Sequence, residues 1–148
     1  MRVQDLIQIK GDVVITVVET LGVRGAAGIM HARGVGALVV VDEAGQLQGV
    51  LSEREIVVAL AEHGRDSLDY AIGRLMLKNR PTVAPTDSVR DAMTIMTEQR
   101  VRHLPVLRDG RVAGLISLGD TVKARLTEKI AENEVLQDIA RWPTPSVA

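Results

Sequence analysis

The sequence predicts a mixed α/β (α+β) fold: two β-α-β-β-α units related by a pseudo-twofold axis and packed sheet to sheet, with a helix appended at the C-terminus. Three observations predict it. The 148-residue chain repeats itself. Each copy alternates short apolar runs with stretches of helical apolar spacing. The phrase Gly-apolar-apolar-Ser-x-x-acid recurs where a strand should give way to a helix, as GVLSERE (49–55) and GLISLGD (114–120).

The repeat is exact enough to align by eye. TVVETLGVRGAAGIM (16–30) and TVAPTDSVRDAMTIM (82–96) share eight of fifteen positions at an offset of 66. Unrelated segments of ordinary composition would share about one. The match continues through Val35/Val101, Leu38/Leu104 and Val40/Val106. One extra residue in the first copy's turn then drops the offset to 65, so that Ser52 meets Ser117 and Glu55 meets Asp120. The copies are placed at 1–66 and 67–130, followed by an extension over 131–148.

Each unit begins with a short extended piece (13–18; 81–84). A helix follows, with Val23, Ala26, Ala27 and Met30 at i, i+3, i+4 and i+7, and Val89, Ala92, Met93 and Met96 likewise. Thr86 or Asp87 is the expected N-cap of the second copy's helix. Two strands come next: ALVVV and LQGVLS joined by DEAGQ, then LPVL and VAGLIS joined by RDGR, whose Asp-Gly signals a hairpin. The closing helix starts after each Ser. A unit of this size has a marginal core alone, so the two copies should pack together and leave equivalent clefts between them. From Thr121 to Arg141 there is no Gly or Pro. An imperfect apolar stripe (Val122, Leu126, Ile130, Val135, Leu136, Ile139) makes this one long helix, either closing its own domain or contacting a second copy, with PTPSVA frayed beyond it.

Composition narrows the function. With 46% hydrophobic and 25% charged residues the chain is built to fold rather than to remain disordered. Its net charge of −1 gives no drive toward nucleic acid or an anionic membrane. One Trp, one Tyr and no Phe leave no platform for stacking nucleic-acid bases. The absence of Cys removes disulfides, thiolate metal sites and Cys nucleophiles, and suits a reducing compartment. The charged start, MRVQDLIQIKGD, has no signal-peptide character, so a cytoplasmic location is expected. GVRGAAG (22–28) lacks the Lys-Ser/Thr of a phosphate-binding loop, and His31, His63 and His103 have no metal-ligand spacing. No nucleophile–base constellation stands out, and the chain is read as non-enzymatic.

The Ser phrase supports two readings. Ser52-x-x-Glu55 is a capping box and Ser117-x-x-Asp120 a weaker one, so each can be helix punctuation alone. The same geometry places a hydroxyl and free N–H groups at a helix N-terminus, where a phosphate binds well. An acid one turn on could accept the hydroxyls of a ribose. Thr16-Val17 and Thr82-Val83 offer short edges against which a flat base could lie.

These residues resemble the cystathionine β-synthase (CBS) domain, two of which form a Bateman module. The resemblance is carried by PTVAPTDSVRDAMTIMTEQRVRHLPVLRDGRVAGLISLGD (81–120) and its weaker echo over 15–55, and it covers nearly the whole chain. It implies a regulatory module that binds an adenosine-containing ligand (AMP, ADP or ATP, or alternatively NAD(H) or S-adenosylmethionine) and pairs into a homodimer. It further implies that Ser117 meets phosphate, Asp120 the ribose hydroxyls, Thr82 and Val83 the adenine, and Arg102 and His103 the phosphates. Thr16, Val17, Ser52 and Glu55 are the counterparts in the first copy. That copy departs from the pattern: Glu55 replaces the Asp, and Gly36 and Ala37 stand where Arg102 and His103 do. The second copy's cleft is therefore the expected main site. An interaction module with vestigial clefts is the alternative.

Overall fold

The computed structural model describes residues 1–11 and 14–142. In chain order the elements are α1 (Val3–Lys10), β1 (Thr16–Val17), α2 (Val23–Arg33), β2 (Ala37–Val41), β3 (Leu47–Ser52) and α3 (Glu53–His63). Two 3₁₀ segments (Gly64–Asp69 and Ile72–Arg74) lead to α4 (Val89–Gln99), β4 (His103–Arg108), β5 (Arg111–Ser117) and α5 (Leu118–Arg141). The duplicated mixed α/β architecture with a C-terminal helix is as the sequence predicts.

The two halves pair their strands in matching register. In repeat 1, β1 pairs parallel with β2, and β2 antiparallel with β3. In repeat 2, β4 pairs antiparallel with β5, and Val83 makes one parallel bridge to Val106, the counterpart of Val17 on Val40. The extended piece expected over 81–84 shrinks to this bridge because Pro105, at the place of Val39, has no N–H to give Pro81 C=O, whereas Val39 N–H donates to Ile15 C=O at 3.3 Å. Of the piece expected over 13–18, Thr16–Val17 is strand, and residue 13 lies outside the described residues. Both hairpins carry a register shift at the same repeat position, Val40/Val41 and Val106/Leu107. The Asp109-Gly110 turn has φ of 52° and 78°, the double positive φ of a tight hairpin.

Helices α2 and α4 bury most of the expected stripe, Val23, Ala26 and Met30 in one and Val89, Ala92 and Met96 in the other, with Ala27 and Met93 half-buried. The cap of α4 is Ser88, not Thr86 or Asp87. Asp91 N–H donates to Ser88 Oγ at 2.9 Å, whereas the Asp87 carboxylate turns back to accept from Ala84 N–H at 2.7 Å. Ser88 wins because it sits one residue before the first helical turn, where its oxygen reaches the N3 amide.

The feature absent from the sequence reading is an exchange of arms. The N-terminal arm packs on repeat 2, and the segment that leads into repeat 2 packs on repeat 1. Val3 N–H donates to Asp87 C=O at 2.8 Å, as Ile72 N–H does to Leu21 C=O at 2.8 Å. Gln4 and Gly73 donate to Pro85 and Glu19, and Met1 and Tyr70 accept from Val89 and Val23, in the same pattern. Each core is therefore composite. Val3, Leu6 and Ile7 join Leu104, Val106 and Ile116, while Ile72 and Met76 join Leu38, Val40 and Leu51. At roughly 1.5–3 kcal/mol for each fully buried aliphatic side chain, each arm supplies a substantial share of a core that the unit could not complete alone.

Helix α5 runs unbroken for 24 residues, and its first turns bury Thr121 and Ala124. Beyond them the apolar stripe is open, with Leu126 59% and Ile130 59% exposed. The expected PTPSVA tail lies outside the described residues. Among the described residues no helix is long and apolar enough to cross a membrane.

Candidate functional site

The two Ser phrases sit where strand meets helix in both repeats. His103 and Ser117 are partners in the β4–β5 ladder, as Ala37 and Ser52 are in β2–β3. The helix entry is pinned by the same bond each time: Leu118 N–H to Arg102 C=O at 2.8 Å, and Glu53 N–H to Gly36 C=O at 3.0 Å. The fold thus brings Arg102, His103, Ser117 and Asp120 to one corner of repeat 2, and Gly36, Ala37, Ser52 and Glu55 to the equivalent corner of repeat 1.

Both corners are capped. Asp120 N–H donates to Ser117 Oγ at 3.1 Å, and Ser117 N–H donates to Asp120 Oδ2 at 2.8 Å, a reciprocal capping box. In repeat 1, Ser52 N–H donates to Glu55 Oε2 at 2.6 Å, and the Ser52 hydroxyl donates to the same oxygen. In repeat 2 the hydroxyl accepts from Asp120 N–H and also bonds to the Asp120 carboxylate.

Charge separates the corners. Arg102 is exposed and His103 half-buried. Burial holds the His103 imidazole below its ordinary value, and the Lys10 ammonium pushes the same way; Asp120, Glu55 and Glu53 oppose them. His103 thus feels repeat 1's Glu53 and Glu55 as well as its own Asp120, so the two corners share one electrostatic neighbourhood. In repeat 1 a Cβ placed on Gly36 would lie 3.8 Å from Glu53 Oε2. A carboxylate therefore covers the spot where repeat 2 carries Arg102, and the residue matching Glu53 there is the uncharged Leu118.

A residue the sequence reading missed completes the second corner. Lys10, at the end of α1, donates to Asp120 Oδ2 at 2.7 Å and to Leu115 C=O at 2.9 Å. Burial would raise the Asp120 carboxyl, but the Lys10 and Ser117 hydrogen bonds outweigh it and hold the group below its ordinary value. Among the described residues, the hydrogen bonds to Asp120 all fall on Oδ2, leaving Oδ1 for another donor. A weak signal for Lys10 exists in the sequence. At an offset of 69, Val3, Leu6 and Ile7 align with Ile72, Leu75 and Met76, which extends the repeat to the arms.

The edges expected to hold a base differ in availability. Val83 is buried in the repeat 2 core; its N–H donates to Pro105 C=O at 3.0 Å, and its C=O accepts from Leu107 N–H at 2.9 Å. Its backbone is consumed by β4, so the free edge at this place belongs to half-buried Thr82. Thr16 is exposed and Val17 half-buried on β1. Two depressions mark the surface. One of about 740 Å³ is flanked by Gln4, Ile7, Arg108 and Arg111, between α1 and the β4–β5 turn. One of about 300 Å³ runs along α3 beside Glu55, Tyr70 and Arg74, and so begins at the repeat 1 corner.

The comparisons with known proteins agree with this architecture. The CBS domain family model matches twice, over residues 7–62 and 72–127. The crystal structure of the CBS-domain protein ATU1752 from Agrobacterium tumefaciens is 42% identical, with a TM-score of 0.81 over 84% of this chain and 99% of that one. The mitochondrial CBS domain-containing protein CBSX3 of Arabidopsis thaliana is 38% identical over 103 residues, 67% of this chain, and the match spans half of that relative's length. The CBS domain pair of protein MJ0100, solved in complex with 5′-methylthioadenosine and S-adenosyl-L-methionine, is 25% identical with a TM-score of 0.75, over 84% of this chain and 98% of that one. Two matched domains, two composite cores and two equivalent strand-to-helix corners have one meaning: this chain belongs to the CBS-domain family, as a tandem pair.

Proposed function

We propose that the chain is a non-catalytic regulatory module that binds one adenosine-containing ligand at the repeat 2 corner. The observation that carries this is the asymmetry of charge between two otherwise matching corners. Repeat 2 offers Ser117 at a helix N-terminus, a carboxylate with one free oxygen, and cations at Arg102 and Lys10. Repeat 1 offers two carboxylates and, among the described residues, has Gly36 and Asn79 at the places of Arg102 and Lys10, while its Arg54 and Arg74 line the depression along α3. In this reading Ser117 and the Gly119 N–H in the first turn of α5 take a phosphate, Asp120 Oδ1 takes a ribose hydroxyl, and the base lies along Thr82. The complex of the MJ0100 domain pair with two adenosine derivatives supports an adenosine-type ligand. Val83 shapes the base edge from within the core rather than by its own backbone donors. A cytoplasmic, cysteine-free protein of this kind would report nucleotide level through its shape or its partners.

The test is calorimetric titration with AMP, ATP, NADH and S-adenosylmethionine, followed by 2′-deoxy-AMP. AMP-class binding weakened by removal of the 2′-hydroxyl supports the assignment. No binding of any of them at millimolar concentration sinks it. Equal affinity for the deoxy analogue removes the ribose role of Asp120.

A second reading has its own observation. Both Ser phrases are engaged as caps, so the corners are also complete without a ligand. On that reading the module serves association alone. The open stripe on α5, and exposed Val57 and Leu60 on α3, support a homodimer under either reading. Sedimentation at the mass of one 16.0-kDa chain would contradict the dimer.

A further inference from the structure

Lys10 is one of the two cations of the proposed site. Its neighbour in the pseudo-twofold scheme shows why it is there. In repeat 1 the arm is extended where it passes β3, and its backbone bridges the strand: Val50 N–H donates to Leu77 C=O at 3.0 Å, and Leu77 N–H to Val50 C=O at 2.9 Å. In repeat 2 the arm is a full α-helix to Lys10, and its backbone bonds are spent within the helix. The carbonyl matching Val50 is that of Leu115, and it receives the Lys10 ammonium instead, at 2.9 Å. That places a fixed cation on the carbonyl whose repeat 1 counterpart takes a main-chain amide.

The ammonium has three donors. Leu115 C=O and Asp120 Oδ2 take two, and the side chain remains 41% exposed. Lys10 and Ser117 N–H share one acceptor, Asp120 Oδ2, so the cation stands beside Ser117, the residue assigned to phosphate. Resting on that reading of the site, we propose that Lys10 is a specificity-determining residue that selects adenosine ligands carrying an anionic 5′-substituent. Its remaining donor makes a charge-assisted bond to a 5′-phosphate. A neutral 5′-thioether gains nothing from it, and a cationic 5′-sulfonium is repelled. Asp120, already partnered by the cation, then serves the ribose without also drawing in positive charge.

The test measures AMP, 5′-methylthioadenosine and S-adenosylmethionine against the wild-type chain, Lys10→Gln and Lys10→Arg by calorimetry. The wild type should bind AMP most tightly. Lys10→Gln should weaken AMP by about tenfold, the scale of one lost charge-assisted bond, while leaving 5′-methylthioadenosine unchanged. Lys10→Arg should restore the AMP preference. A merely structural Lys10 would move all three ligands by the same factor or none, and either result overturns the assignment while leaving the adenosine site standing. Failure of all three ligands to bind the wild type overturns the site reading itself, and the role of Lys10 with it.

Discussion

Repeats 1 and 2 share a backbone and differ in charge. Their strands pair in the same register, their bulges fall at the same place, and their arms are exchanged through matched hydrogen bonds. Yet at the corner where Ser begins the last helix, repeat 1 gathers Glu53 and Glu55, and repeat 2 gathers Arg102, His103 and Lys10 beside Asp120. The cores had to stay alike because two half-cores complete each other through the exchanged arms. The corners, outside those cores, were free to diverge. The comparison teaches that fold and site answer to different constraints even where one motif serves both.

The largest effect expected from breaking the symmetry lies where each arm crosses a glycine. A Cβ on Gly49 would stand 2.8 Å from Leu77 C=O and 3.1 Å from Met76 Cγ. A Cβ on Gly114 would stand 2.7 Å from Ile7 Cδ1, the tip of a flexible side chain. Overpacking typically costs 1–3 kcal/mol, and backbone yields less readily than a methyl group. Gly49→Ala should therefore lose about 2–3 kcal/mol and Gly114→Ala about 1 kcal/mol, read from urea midpoints. The reverse order would mean that the two arms are not held as described.

A smaller effect follows from His103, whose place in repeat 1 is taken by Ala37. Its folded pKa lies below the ordinary 6.5, because burial and then Lys10 disfavour the charged ring. The folded state thus binds fewer protons than the unfolded one, and stability falls as pH drops from about 6.5 toward the folded value. Asp120, also lowered from its ordinary 3.8, contributes stability that is lost only at more acidic pH, so the two windows separate. The thermal midpoint should fall between about pH 7.5 and 5.5, and this fall should shrink in His103→Gln. An undiminished fall in the variant would place its origin elsewhere.

Much of this molecule was readable from residues alone. The duplication, the helix stripes through Met30 and Met96, the Asp109-Gly110 hairpin and the unequal corners all rest on local patterns with a fixed period. The arms were not readable. Their repeat is shifted to an offset of 69 because the link from Gln8 to Thr16 is three residues longer than that from Leu77 to Thr82. One arm is α-helical and the other is 3₁₀ and extended, so the only local mark they share is the short match of Val3, Leu6 and Ile7 to Ile72, Leu75 and Met76. Lys10 was missed for the same reason: nothing local ties it to Asp120, 110 positions away. The α4 cap was misplaced because Thr86, Asp87 and Ser88 are all good cap residues, and only the start of the helix chooses among them.

The most direct test of the central claim is the stoichiometry of AMP binding, measured calorimetrically on the wild type, Asp120→Asn and Glu55→Gln. One ligand per chain, lost or weakened at least tenfold in Asp120→Asn and unchanged in Glu55→Gln, is the predicted result. Two equivalent sites per chain, or binding that depends on Glu55 rather than Asp120, would contradict the account.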